Sequence, residues 1–256
     1  MKPMKIMLVL MLGLMMTACG GSGSTEPAQN TADLTTQEQA ELVASALSAQ
    51  QGGVEDDIST ATRAATGASG QSVQSQAALG YAISVNVDFY DELDNLQVAY
   101  DPETTDRIDY QSLIQGRITN GTGFFRELSI DNRSDFSVRQ ILTGIAWING
   151  THTNHSSYDR TQVLTQADVH YQLDCELILT DVTVDMDAAD TFPESGTIEG
   201  TVAGSYERVA PTWQQTSSFN FHFIATYLGD NTAEVELGDG TVFTVHLESG
   251  TVENLE

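Results

Sequence analysis

The chain has 256 residues, with 36 Asp and Glu against 10 Lys and Arg, and a net charge of −26 at pH 7. Both lysines, Lys2 and Lys5, lie in the first five residues, so everything after them meets 36 acids with 8 arginines. A surface of that sign repels nucleic acid and anionic membranes, because binding phosphate takes cations that displace its counterions. With 40% apolar residues, however, the chain is able to bury a core and is not disordered throughout.

In chain order, Lys2 and Lys5 come first, followed by an apolar run from Ile6 to Met16 that only Gly13 interrupts. As a helix this run spans roughly 16 Å, about half of the hydrocarbon core of a bilayer, which predicts the centre of a signal peptide and not a membrane-spanning anchor. Met16-Thr17-Ala18-Cys19 follows, and then Gly20-Gly21-Ser22-Gly23-Ser24. This segment resembles a bacterial lipoprotein signal peptide, in which a small residue precedes a Cys that is lipidated and becomes the mature N-terminus. The resemblance implies a signal peptide over residues 1–18, a lipid on Cys19 and a membrane attachment through that residue. It further implies the outer membrane of a Gram-negative cell, since Gly20 stands where an Asp retains such proteins at the inner membrane.

Residues 19–78 hold no aromatic residue, and 42 of these 60 residues are Ala, Gly, Ser, Thr or Gln. All 19 aromatics of the chain fall between Tyr81 and Phe243. The break predicts a tether over 19–78 and a folded domain over 79–256. Two short helices are expected inside the tether, leaning on the domain or free of it. Thr35 and Glu38 fit a capping box, with Ala40, Val43 and Leu47 at helical spacing before Gly52-Gly53. Val54, Ile58, Ala61 and Ala65 repeat the spacing, and Glu55, Asp56 and Asp57 sit where the helix dipole favours negative charge.

From residue 79 the period becomes two. Ile83, Val85, Val87 and Phe89 alternate with polar residues, as in a half-buried strand. Asn120-Gly121, Asn149-Gly150 and Asp239-Gly240 predict hairpin turns, and Gly229-Asp230-Asn231 a fourth. Between Gln162 and Met186 the apolar residues switch from odd to even positions, which predicts a β-bulge or break near 178–181. Cys175 falls on the apolar parity of this run, as a small core residue. Trp147 is expected in the core as well. About ten strands without a helical period between them predict an all-β fold, an antiparallel meander forming a barrel or sandwich. Phe192 to Gly200 and the meander after it resemble uncharacterised lipoproteins of marine Gram-negative bacteria, a likeness that implies no activity.

Catalytic signatures are absent: the sequence contains no Gly-x-Ser-x-Gly, no phosphate-binding glycine loop, no His-Glu-x-x-His and no cysteine pair. Two groups are candidates for metal. His152, His155 and Asp159 offer two imidazoles and a carboxylate, although in an extended strand residues i and i+3 point to opposite faces. Asp181, Asp185, Asp187 and Asp190 offer hard oxygen ligands of the kind that suit Ca²⁺, and no other cofactor is expected. The sequence therefore predicts no enzyme, but a lipid-anchored envelope protein serving as an interaction or structural module. Its unknown partner is a protein or, in the alternative, an amphiphile carried in a β-barrel. A hydrolase built on paired carboxylates is the second alternative, and it requires two acids of opposed pKa facing each other in a cleft.

Overall fold

The computed structural model describes residues 34–49, 53–67, 81–119, 127–161, 168–188, 192–210 and 213–253. Cys19 and its signal segment, the Asn120-Gly121 pair and Asp190 lie outside the described residues. Among the described residues two helices come first, α1 (Thr36–Leu47) and α2 (Val54–Ala65). Eleven strands follow: β1 (Tyr81–Asp91), β2 (Leu96–Gln97), β3 (Thr105–Thr119), β4 (Glu127–Arg139), β5 (Ile145–Thr161) and β6 (Asp168–Asp185), then β7 (Pro193–Ala210), β8 (Trp213–Tyr227), β9 (Thr232–Leu237), β10 (Val242–His246) and β11 (Val252–Glu253).

The fold is an all-β antiparallel meander, as the alternation and turn signals predict. All strands among the described residues belong to one sheet in the order β11-β10-β9-β8-β7-β6-β5-β4-β3-β1-β2, and its edges β11 and β2 do not pair there, so the architecture of these residues is a single open sheet. Asp239-Gly240 and Gly229-Asp230-Asn231 make the expected turns, with Gly240 and Gly229 at φ +87° and +81°. Asn149-Gly150 does not. It lies inside β5, where the register with β6 slips between Ile148 and Gly150. Gly150 has φ +153°, and a Cβ there would stand 2.1 Å from the Asp135 carbonyl oxygen of β4, so the Asn-Gly signal marks a bulge. The parity switch of β6 is absorbed where predicted: Asp181 takes φ +50° and its N–H donates to Asn149 Oδ1 at 2.9 Å, joining the two irregularities.

The helices form as their sequences dictate. Thr35 and Glu38 close the capping box, and Thr35 N–H donates to Glu38 Oε2 at 2.7 Å. Both helices lay their apolar stripes on one face of the sheet, where Val43, Leu47, Val54, Ile58 and Ala61 are fully buried. These residues share one hydrophobic core with Phe136, Leu177, Ile198, Phe223 and Phe243 of the strands. The composition break near residue 79 therefore does not separate a tether from a domain over residues 36–65. Small Ala and Val side chains let these helices approach the sheet closely, and the strands supply the bulk that the helices lack.

The same contacts require the sheet to curl. Glu55 and Asp57 stand two residues apart, yet the first meets Tyr227 of β8 and the second meets Ser112 of β3. Five strand spacings separate β8 from β3, about 24 Å in a flat sheet, which no two neighbouring side chains bridge. The sheet thus wraps around the helices, and the helix-bearing face is its concave inner face. Trp147 corrects an expectation here: Ala146 and Ile148 take the inner positions at the start of β5, leaving Trp147 on the outer face at 36% exposure.

Candidate functional site

Register aligns the inner side chains of successive strands into rows. One row runs through Ser112, Ser134, His152, Leu177, Gly200 and Phe223. Its β3–β5 end is polar where the neighbouring inner positions Tyr110, Phe136 and Ile148 are apolar and fully buried. α2 supplies what this polar end needs. Asp57 accepts from Ser112 Oγ at 3.0 Å and from Ser134 Oγ at 2.7 Å, with Tyr110 OH at 3.4 Å. His152 Nδ1 lies 2.8 Å from Ser134 Oγ and 3.3 Å from Asp57 Oδ2, and the residue is 1% exposed. Burial pushes the Asp57 carboxyl up, but hydrogen bonds from His152, Ser134 and Ser112 and the imidazole charge outweigh it and hold the group below its ordinary value. Burial, reinforced by the Asp57 charge, pushes the Tyr110 phenol up.

Two residues earlier on the same turn, Glu55 is 2% exposed and accepts from Tyr227 OH at 2.5 Å. Burial raises its carboxyl to about 8, against a smaller opposing effect of the tyrosine, so it carries a proton at neutral pH. The pair raises Tyr227 too, first by burial and then by the neighbouring acid. The opposed shifts of Glu55 and Asp57 match the signature that a carboxylate hydrolase requires, but the geometry does not. The two groups turn to different strands beneath the helix, and they do not face each other across a cleft. Nor do Asp57, His152 and Ser134 form a nucleophilic triad. That arrangement places the serine on one imidazole nitrogen and the carboxylate on the other, whereas both converge here on Nδ1.

The sequence-derived metal candidates are dispersed. His152 faces inward, while His155 and Asp159 face outward and each pairs elsewhere: His155 with Asp174 at 2.8 Å, and Asp159 with His170 at 2.5 Å. Asp181 occupies the β6 bulge, and Asp185 Oδ1 accepts from the N–H of Asp187 at 2.9 Å. Among the described residues, no three His, Cys, Asp or Glu side chains stand together as metal ligands. Cys175 is buried at 2% exposure, with its thiol pushed up to about 12 by burial first and by Glu176 second. Such a thiol is a core residue and not a nucleophile.

All five histidines of the chain face a carboxylate, His222 pairing with Glu199 and His246 with Glu253. On the outer face, an open cleft of about 290 Å³ is lined by Glu127, Asp159, Asp168, His170 and Glu207 with Val169 and Val209. Glu127 pairs with Arg117 at 2.6 Å, Asp159 with His170, and Glu207 accepts from Gln214 Nε2 at 2.7 Å.

The inner polar positions leave a local trace in the sequence. Even positions of β4 read Ile130, Asn132, Ser134, Phe136 and Val138, so two polar residues interrupt an apolar parity. Their partners, Asp57 and His152, lie 77 and 18 residues from Ser134, and no spacing rule joins them. Compared with known proteins, the chain matches no family model, no curated protein and no solved structure.

Proposed function

We propose that this chain is a lipid-anchored protein of the Gram-negative outer membrane that works as a non-catalytic interaction or structural module. Anchoring rests on the lipoprotein-like segment ending at Cys19. The non-catalytic reading rests on one observation: Asp57, His152, Ser134 and Glu55, the groups with the most reactive pairings, are consumed in docking a helix onto the sheet. A multiply acylated Cys is needed for stable attachment, because one acyl chain holds a protein only marginally. The test is envelope fractionation of a Cys19→Ser variant, with mass spectrometry of the native N-terminus. The expected outcome is acyl mass on native Cys19, and an unprocessed or soluble variant. A variant that stays with the outer membrane at the native level, beside a native chain without acyl mass, overturns the anchoring.

A further inference from the structure

The hairpin that joins β1 to the edge strand β2 is braced by its own polar groups. Asp91 Oδ1 accepts from the N–H groups of Leu93 and Asn95, each at 2.9 Å, and Asp91 Oδ2 accepts from Asn95 Nδ2 at 2.9 Å. Gln97 donates to Thr104 Oγ1 at 2.8 Å and accepts from Thr105 Oγ1 at 2.6 Å. Arg107 lies 3.8 Å over the Tyr90 ring and pairs with Asp94 at 2.8 Å. This bracing does not hold a core together. Leu93 is 81% exposed, Leu96 68% and Val98 fully, whereas the next most exposed large apolar residues among those described, Ile178 and Leu228, reach 52%. Leu96 and Val98 flank Gln97, and Leu96 is the cross-strand partner of Tyr90. Exposed aliphatic residues scattered singly are ordinary, but three within six positions of a stiffened hairpin form a strip. From Asp91 to Asp106 the chain carries six acids (Asp91, Glu92, Asp94, Asp101, Glu103 and Asp106) and no Lys, Arg or His. Glu92, Asp101 and Glu103 stand exposed on the turns at either end of the strip.

We propose that the strip of Leu93, Leu96 and Val98 docks a cationic amphipathic segment of a partner protein, with Lys or Arg side chains of that segment against Glu92, Asp101 and Glu103. The inference rests on reading the protein as an interaction module, and names the chemistry of its partner. Charge complementarity selects this occupant: an apolar strip bounded by acids matches an apolar stripe bounded by cations. A second copy of this chain brings the same six acids to the contact, and an anionic lipid surface brings phosphates, so both meet repulsion. The hydrogen bonds within the hairpin hold the strip in place before a partner arrives, which lowers the ordering cost of binding. Three aliphatic anchors with a charged rim make a small interface of the transient kind, with micromolar affinity.

The test titrates the purified full chain by calorimetry with a peptide of repeated Leu-Lys-Lys-Leu units, whose leucines line one face of a helix. Two further peptides serve as controls: Ala-Lys-Lys-Ala repeats keep the charge without the large apolar face, and Leu-Glu-Glu-Leu repeats invert the charge. Salt at about 0.15 M screens the remote acids and leaves those at the hairpin. Micromolar binding of the Leu-Lys peptide is expected, at least tenfold weaker binding of the Ala-Lys peptide, and none of the Leu-Glu peptide. Leu93→Ser with Leu96→Ser and Val98→Ser should weaken the Leu-Lys peptide at least tenfold and leave the thermal midpoint level, because the three side chains are exposed. Should the triple variant not fold, Val98→Ser alone is read in the same way. General attraction between a polyanion and a polycation would instead bind both lysine peptides equally and spare the variant, and either result overturns the proposal. So does a dimer of the native chain that the triple variant abolishes, which would give the strip to a second copy. A chain that takes none of the peptides but keeps its acyl-anchored fractionation overturns this assignment and leaves the anchored module standing.

Discussion

Two adjacent rows of the inner face were built alike and ended differently. Both place polar residues on β3–β5 or β4–β5 between apolar neighbours. In the upper row, Ser112, Ser134 and His152 receive the Asp57 carboxylate, and their polar groups are met. In the lower row, Asn132 and Asn154 receive nothing, and their oxygens stay orphaned. The difference is the carboxylate: α2 delivers Asp57 to the first row, and no hydrogen bond meets the side-chain oxygens of the second. Polar groups on an apolar sheet face are thus not defects in themselves. Their meaning is set by what is delivered to them from above.

Removing the deliverer breaks the comparison most severely. Deleting residues 34–67 would strip the cover from Phe136, Leu177, Ile198 and Phe223, and leave the polar row without its acid. The composition break alone predicts a cooperative β-domain without these residues, whereas the shared core predicts loss of the cooperative thermal transition. Circular dichroism melts of the deletion would decide between them.

A smaller effect comes from the other acid of the same turn. Glu55 stands at about 8 in the folded chain and near 4.5 when unfolded. Between those values the unfolded chain has released the proton that the folded chain retains, so stability falls as pH rises from about 4.5 to 8. The accumulated loss approaches about 5 kcal/mol at most. Glu55→Gln keeps a hydrogen-bonding group without a titrating proton, and should flatten this slope. Urea midpoints at pH 5 and pH 8.5 check it: the variant gains on the native chain at the higher pH, and equal slopes in both proteins would contradict the assignment.

The smallest of the three effects sharpens the contrast between the rows themselves. Asp57→Ala should cost about 3 kcal/mol, because it removes from a buried site the acceptor that Ser112 and Ser134 share and the acid that faces His152. The carboxyl is held low in the fold, so its contribution is present above the ordinary value of 3.8 and is lost as pH falls through the folded value. Chemical denaturation at pH 7 and below pH 3 measures both parts. A variant as stable as the native chain at pH 7 would mean that the upper row is no better satisfied than the lower.

Much of this architecture is written locally. The Thr35–Glu38 capping box, the Val43–Leu47 and Val54–Ile58 stripes, and the β6 parity switch need only near neighbours to be read, because helix and strand periods are set by backbone geometry. The C-terminal turns are legible for the same reason. Asn149-Gly150 shows the limit of such reading: the dipeptide marks a backbone irregularity, and whether it becomes a turn or a bulge depends on β4 and β6 closing in on both sides. Trp147 shows it again, since the parity of β5 around that bulge chooses its face. The candidate site is the least legible part: locally His152 reads as a candidate metal ligand and Asp57 as a favourable charge on a helix end, and no sequence spacing joins the two.

What the sequence determined by itself was the set of elements: two short amphipathic helices, a long antiparallel meander, and a strongly acidic composition. Tertiary structure alone decided that the meander stays one open sheet, that it curls around the helices, and that Asp57 meets a row of polar residues while Asn132 and Asn154 meet none. The physical reason is range. Periodicity encodes which face of an element is buried, but satisfying a buried polar group takes a partner in three dimensions, and that partner lies 77 residues away for Ser134 and 172 residues away for Tyr227.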